Sequence, residues 1–256
     1  MLNLIKYEFL KKYKLILVTI IISIVLNLVL FTKGVGGSTI FLVFFPFIMA
    51  ILYIGDILKM YSDDLNKKSG YMLFMTPNSG YKIVLSKLIT AVIEGFAILL
   101  LYFIFIIING AYIVSQSGAY FEFSEILNAV NQILSGNLGF NLGHIFVFLL
   151  TALLFLISFI TTAYTAMTIR KSIFSEVKFG GALSFIIFLL LNWALNSVAS
   201  EIYNILTPFY DSFTNFSRIT ATELVYVLLP INIMSIVQST LLTICSGFLL
   251  EKKINL

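Results

Sequence analysis

Six long apolar stretches dominate the chain, and the short segments between them carry most of its charged residues. The stretches cover residues 15–32, 39–58, 84–112, 143–168, 179–199 and 225–250. At a rise of about 1.5 Å per residue, each is long enough to cross a hydrocarbon core of about 30 Å as a helix. Barrel strands would be about half as long. The pattern predicts an all-α polytopic membrane protein, with one transmembrane domain of six spans over residues 1–256.

The composition supports this class. Hydrophobic residues make up 60% of the chain, charged residues only 11%, and the mean hydropathy is +1.03. Such a chain cannot keep its apolar surface away from water, so lipid is the expected solvent for most of it. The net charge of +4 is ordinary for basic residues at a membrane surface and does not indicate a nucleic-acid partner.

The basic residues predict the orientation. Only Lys33 and Arg218 lie on one side of the predicted membrane, and the other fourteen of the sixteen Lys and Arg residues lie on the opposite side. These fourteen are Lys6, Lys11, Lys12, Lys14, Lys59, Lys67, Lys68, Lys82, Lys87, Arg170, Lys171, Lys178, Lys252 and Lys253. By the positive-inside rule both termini are cytoplasmic. A composition rich in Ile, Asn, Lys, Phe and Tyr suggests an AT-rich bacterium, and the expected location is the bacterial plasma membrane.

The segment before the first span is amphipathic. Leu2, Ile5, Phe9 and Tyr13 recur at spacings of three and four, which predicts an interfacial helix over residues 1–14. The alternative is a charged flank that only orients the first span. Outside the membrane we expect a tight turn at 33–38 and short amphipathic helices within 115–141 and 200–223.

The sequence offers no catalytic constellation. It contains no GxxxxGK[ST] phosphate loop, no GxSxG elbow and no HExxH motif. Its one histidine, His144, has no acidic or cysteine neighbour at ligand spacing and is expected to be a hydrogen-bonded boundary residue. We therefore expect a non-enzymatic chain that binds no cofactor or metal, with any nucleotide chemistry on another chain.

The loop between spans two and three carries a family resemblance. From Asp63 to Lys87 it reads DDLNKKSGYMLFMTPNSGYKIVLSK, with Gly70, Leu73, Pro77 and Ser79 at the matching positions. It resembles the cytoplasmic loop of ABC-2-type transporter permeases, small six-span exporter subunits whose ATPase domain is a separate chain. The N-terminal basic segment and the order of spans extend the resemblance over the whole chain.

The resemblance implies a short coupling helix that docks on a soluble ATPase subunit. Its candidate residues are Lys67, Lys68, Gly70, Tyr71, Leu73, Phe74, Met75 and Pro77. The residue types agree with docking, because large apolar side chains are costly to expose in a cytoplasmic loop and are typical of partner contacts. The alternative is that this helix packs under its own bundle or into the lipid headgroups. The family assembly would contain two ATPase copies with ATP and Mg, and a second permease copy or paralogue.

Polar residues within the spans are candidates for a substrate path or gate. They are Thr90, Glu94, Asn192, Asn196, Asn232 and Ser235. The alternative for each is a helix–helix contact. Glu94 is the costliest, since a carboxylate within a span needs a partner, hydration or a proton. The sequence suggests no basic partner for it, only a hydrogen bond from Thr90, whereas Asp56 is expected to meet Lys59 or water.

Three classes of function follow. The first is the membrane subunit of an ATP-driven exporter for an amphipathic or hydrophobic cargo. The resemblance implies peptides of the bacitracin or lantibiotic kind, or cytolytic peptides such as phenol-soluble modulins. A secondary transporter is the alternative and would carry more charge at mid-membrane. An integral membrane enzyme is the third.

Overall fold

Six long helices form the part of the chain that the structure describes. The structure is a computed structural model, and it describes residues 2–66, 79–116, 132, 141–174, 179–210 and 221–252. The helices are α1 (Leu2–Phe31), α2 (Gly34–Asn66), α3 (Gly80–Gln116), α4 (Leu142–Ile173), α5 (Gly180–Tyr210) and α6 (Ala221–Lys252). All six are long and apolar enough to cross a membrane. The prediction of an all-helical protein with six spans is thus confirmed for these residues.

Much of the apolar surface faces outward. Phe155 is 74% exposed and Trp193 71% exposed, and large aliphatic side chains on every helix share this exposure. Contiguous apolar surface on this scale is not tolerated in water. The exterior is therefore the surface of a multi-pass membrane protein.

The helices extend beyond the apolar stretches of the sequence. α1 begins at Leu2 and continues without a break through residue 14, so residues 1–14 do not form the separate interfacial helix that we expected. α5 likewise continues past residue 199 to Tyr210. Backbone hydrogen bonding does not stop where the apolar side chains stop, and a helix therefore outlasts its lipid-facing segment. The helix expected within 115–141 lies almost entirely outside the described residues.

The chain divides into two compact units. Unit 1 comprises Met1–Met60 and Ser86–Ile126, and unit 2 comprises Tyr61–Leu85 and Leu127–Leu256. The divisions at residues 60/61 and 85/86 fall within α2 and α3, so each of these helices contributes to both units.

In unit 1 a short turn joins α1 to α2. The turn is tighter than the expected 33–38 segment, because α2 already begins at Gly34, whose φ of +74° is a left-handed conformation that glycine adopts without strain. Gly37 is helical, and the backbone carbonyl of Leu30 lies where a Cβ at residue 37 would be. The absence of that Cβ allows α1 and α2 to approach closely next to the turn.

Aromatic side chains hold α2 to α3 in unit 1. The ring centroid of Phe105 lies 5.1 Å from that of Phe41 and 5.1 Å from that of Phe45, both edge-on. The hydroxyl of Tyr102 donates to the carbonyl of Leu42 at 3.0 Å. α1 runs parallel to α3, since Phe31 near the end of α1 meets Tyr112 near the end of α3 with centroids 4.3 Å apart.

In unit 2, α4 packs along α6 and also against α5. The Thr165 and Ser246 hydroxyls are 2.8 Å apart, and near the other end of the same pair His144 Nε2 lies 3.3 Å from the Thr222 hydroxyl. The Thr165 and Ser246 hydroxyls thus form a polar contact between α4 and α6. His144 Nδ1 also accepts from the Asn141 backbone N–H in a capping box, which confirms the prediction that this histidine is hydrogen-bonded.

Candidate functional site: a buried ionic cluster and a loop root

Five charged side chains come together inside unit 1, and we call them the ionic cluster. They are Glu8 and Lys12 of α1, Asp56 of α2, and Lys87 and Glu94 of α3. Glu8 and Lys12 are four residues apart and Lys87 and Glu94 seven apart, so each pair lies on one face of its helix. The cluster therefore joins three helices through charges that project from matching faces.

Lys12 is the centre of the cluster. Its ammonium donates to Asp56 Oδ2 and, at 3.0 Å, to Glu94 Oε2. The side chains of Lys12 and Glu94 are buried, and that of Asp56 is largely so. One ammonium thus neutralises part of the charge of two carboxylates from two different helices, and it fixes α1 against both α2 and α3.

A second ion pair joins α1 to α3, one helix turn earlier in α1. Lys87 Nζ donates to Glu8 Oε1 at 2.7 Å, and the two side chains are only 1% and 3% exposed. Glu8 Oε2 is also buried and has no hydrogen-bond partner among the described residues. Burial of this degree makes the pair costly to break, since removing one partner leaves an uncompensated charge in a dry site.

A tyrosine holds α2 to α3 beside the cluster. The Tyr53 hydroxyl donates to the carbonyl of Ala91 at 2.7 Å, and it also occupies the space next to Gly95, where a Cβ would lie 2.8 Å from it. Since Gly95 follows Glu94 directly, this contact fixes the backbone that presents the Glu94 carboxylate.

The cluster lies where the uncharged parts of three helices end. Residues 15–31 of α1, 34–55 of α2 and 95–116 of α3 contain no Asp, Glu, Lys or Arg. At about 1.5 Å per residue these stretches measure roughly 25 to 33 Å, about the thickness of one hydrocarbon core. The ionic cluster is therefore at a membrane boundary and not at mid-membrane.

Three sequence expectations are wrong at this site. Glu94 has a basic partner, Lys12, which lies 82 residues away in the chain. Thr90 does not serve Glu94, because its hydroxyl donates to the carbonyl of Ser86 at 2.8 Å. Asp56 pairs with Lys12 and not with Lys59. The four-residue spacing of Glu8 and Lys12 is the signal that the sequence offers, since it places opposite charges together on one face of the helix, beside the proposed amphipathic stripe.

A second set of contacts, in unit 2, holds the two ends of the loop between α2 and α3; we call it the loop root. On the α2 side, the Tyr61 ring stacks on the Tyr164 ring with centroids 4.0 Å apart and an interplanar angle of 11°. The Tyr61 and Thr168 hydroxyls are 2.5 Å apart, and Asn66 Oδ1 accepts from the Arg170 guanidinium at 2.6 Å. The last turns of α2 are thus held on α4.

On the α3 side, the loop root is held on α6. The backbone N–H of Gly80 donates to Glu251 Oε1 at 2.9 Å, which satisfies one of the free amides of the first turn of α3. The ring of Tyr81 occupies the space where a Cβ of Gly247 would be. Because α4 and α6 also contact each other, both ends of the loop rest on one pair of packed helices.

The proposed coupling residues lie between these two ends. Residues 67–78 are outside the described part of the chain, and they include all eight candidates: Lys67, Lys68, Gly70, Tyr71, Leu73, Phe74, Met75 and Pro77. Their role in coupling stays a prediction.

The proposed substrate-path residues are divided between the units. Thr90 and Glu94 are buried in unit 1. In unit 2, Asn196 is exposed, Asn192 donates to the carbonyl of Phe188 at 3.0 Å, and Ser235 is half-buried. Asn232 is buried, and neither of its amide atoms has a hydrogen-bond partner among the described residues. A transport role for these six residues stays a prediction.

Comparison with protein families, with curated proteins and with solved structures found no significant match. Within the described residues, no group of three or more His, Cys, Asp or Glu side chains is arranged to hold a metal ion. The ionic cluster and the loop root are therefore the structural features that bear most directly on function.

Lys12→Met is expected to destabilise the protein strongly, because it leaves the Asp56 and Glu94 carboxylates buried without their ammonium. Breaking a buried pair in this way typically costs about 3–5 kcal/mol. The measurement is the thermal unfolding midpoint of the purified protein in detergent. Lys14→Met is the matched control, since Lys14 is exposed on the same helix.

Adding Asp56→Asn and Glu94→Gln to Lys12→Met should recover most of the lost stability, because no buried charge is then left unpaired. Equal midpoints for the Lys12 and Lys14 variants, or no recovery in the triple variant, would contradict a stabilising role for the cluster.

Proposed function

We propose that the chain is the membrane-spanning permease subunit of an ATP-driven exporter of the ABC-2 type, and that the loop between α2 and α3 docks on a separate ATPase. The assembly contains two permease chains, identical or paralogous, and two soluble ATPase subunits that carry ATP and Mg. The chain itself does no catalysis and supplies the translocation path.

The observation that carries this proposal is the loop root. A loop that transmits force from a partner needs firm attachment at both ends, because a freely hinged loop would absorb the movement. Here Tyr61 and Asn66 fix one end on α4, and Gly80 and Tyr81 fix the other end on α6. The loop sequence supports docking, since Tyr71, Leu73, Phe74 and Met75 are residues that partner surfaces favour.

The ionic cluster supports the same mechanism from unit 1. α2 carries both Asn66 of the loop root and Asp56 of the cluster, and α3 carries both Gly80 and Lys87. In the proposed mechanism, a displacement of the loop acts on α2 and α3, and the cluster passes it to α1. Packed elements joined by buried ion pairs move as a body and do not deform continuously.

The orientation that we propose places both termini and the loop in the cytoplasm of a bacterial cell, and the ionic cluster at the cytoplasmic boundary of the membrane. The distribution of fourteen basic residues against two supports it. Cytoplasmic placement of the loop is required for contact with a soluble ATPase.

The proposed cargo is an amphipathic or hydrophobic peptide, such as an antimicrobial or cytolytic peptide. The low charge of the spans supports this class, since a polar metabolite or ion would need more fixed charges along its path. The buried Asn232 amide, without partners among the described residues, is suited to a peptide group, which offers both a donor and an acceptor.

A secondary transporter is the alternative, and the ionic cluster is the observation that favours it. Carboxylates that share one ammonium could exchange protons during transport. The position of the ionic cluster at the end of the uncharged stretches counts against a secondary transporter, since the ion and substrate sites of such transporters lie near the bilayer midplane. Copurification of a soluble ATPase would separate the two functions.

Phe74→Asp is expected to weaken copurification of the ATPase subunit, because the new carboxylate would be buried in an apolar contact. At a contact of this kind the cost is about 2 kcal/mol or more, which corresponds to roughly a thirtyfold loss of affinity. Thr76→Asp is the matched control, because it adds the same charge to the same loop at a polar position. Unchanged copurification and unchanged stimulation of ATP hydrolysis by the Phe74 variant would refute docking through this segment.

Single cysteines test the orientation in a Cys245→Ser background. Cysteines at positions 117 and 214 should react with membrane-impermeant maleimide in intact cells, and a cysteine at position 69 should react only after the cells are opened. The positive-inside rule is the reason. Labelling of position 69 in intact cells would show that the protein has the opposite orientation. The loop would then be out of reach of a cytoplasmic ATPase.

A further inference from the structure

Arg170 is a buried cation with few partners. It lies in the last turn of α4 and is 8% exposed. Asn66 Oδ1 accepts one hydrogen bond from the guanidinium, at 2.6 Å, and the buried Nε has no partner in the part of the chain that the structure describes. Within that part, the guanidinium forms no ion pair with a carboxylate. A guanidinium has five N–H donors, so most of its hydrogen-bonding capacity is unused here.

The guanidinium lies against the N-terminus of α5. A Cβ at Gly180, the first residue of α5, would lie 2.9 Å from Arg170 Cζ and 3.4 Å from its Nε. The first amides of a helix have no acceptor within it, and they carry the positive end of the helix dipole. In α5, the Leu183 N–H bonds back to the carbonyl of Phe179 at 3.1 Å. Two positive features are therefore adjacent, and an anion that contacts both of them would be favoured.

The level of this site points to the source of the anion. Residues 145–169 of α4 and 180–200 of α5 contain no charged residue, so Arg170 and Gly180 stand at the end of two membrane-length stretches. That is the level of the phospholipid headgroups, where basic pockets between helices bind anionic lipids. The phosphate group is also the anion that a guanidinium fork and a helix N-terminus recognise best.

We propose that Arg170 and the N-terminus of α5 form a binding site for a phosphate group, which an anionic phospholipid of the adjacent leaflet supplies. The phosphate oxygens accept hydrogen bonds from the guanidinium and from the first amides of α5. The site is independent of the proposed transport function. It ties lipid to the helix end that also holds Asn66 of the loop root.

Two glycines provide a matched test. Gly180→Ala places a methyl group where the guanidinium lies, whereas Gly181→Ala places one in open space. Both changes raise helix propensity equally and leave the net charge unchanged. Each full-length protein is purified in a maltoside detergent, and its unfolding midpoint is measured during titration with phosphatidylglycerol or with diacylglycerol of the same acyl chains.

The wild type and Gly181→Ala should be stabilised by phosphatidylglycerol and not by diacylglycerol. Gly180→Ala should bind phosphatidylglycerol about tenfold more weakly, as expected for the loss of one charge-assisted hydrogen bond. Arg170→Lys should fall between them, because an ammonium keeps the charge but not the planar fork. Stabilisation by inorganic phosphate with the same dependence on Arg170 would support the phosphate site and make free phosphate its source.

Equal lipid affinity in the wild type, Gly180→Ala and Arg170→Lys would overturn the proposal. A second result would also overturn it. Glu176, which lies outside the described residues, is the only acidic residue that the sequence has between α4 and α5. If the wild type binds no phosphatidylglycerol and Glu176→Gln does, the protein's own carboxylate occupies the site.

Discussion

The pairing of buried charge is the constraint on which unit 1 depends. A lysine and two carboxylates cannot leave water at a membrane boundary unless they meet, and Lys12, Asp56 and Glu94 come from three different helices. Their meeting fixes the height and rotation of α1 against α2 and α3. The aromatic contacts of Phe41, Phe105 and Tyr102 then fill the apolar part of the same unit. Aliphatic side chains alone would not fix the orientation of the helices there, because they pack equally well against lipid.

The six spans could be predicted from the sequence because hydrocarbon thickness sets a minimum length for an uninterrupted apolar run, and no segment between the spans contains such a run. The ends of the helices could not, because backbone hydrogen bonding continues through segments outside the apolar stretches, such as residues 2–14 and 200–210. The ionic cluster was missed for another reason. Periodicity shows that Glu8 and Lys12 share a face, but it does not show which distant helix that face meets. A lysine read only as a topological signal therefore proved to be a buried ion-pair partner of Glu94, 82 residues away.

The proposed function connects two features that lie on the same helices. The loop root fixes both ends of the α2–α3 loop through Tyr61, Asn66 and Gly80, and the ionic cluster ties the same two helices to α1. A docking loop, firm attachment at its base and a charged contact further along are the parts that a force-transmitting membrane subunit needs. The proposal of an ATP-driven permease explains why these costly buried charges are grouped at one end of the helices.

The most direct test of the account is a charge-reversal cycle on the buried pair Glu8 and Lys87. The thermal unfolding midpoint is measured for Glu8→Lys, for Lys87→Glu and for the double variant in detergent. Each single change replaces an opposite-charge pair, whose atoms are 2.7 Å apart, with two like charges in a buried site, and it should destabilise the protein by about 3 kcal/mol or more. The double variant restores an opposite-charge pair and should recover most of that loss. Additive destabilisation in the double variant would contradict the claim that this ion pair holds α1 on α3.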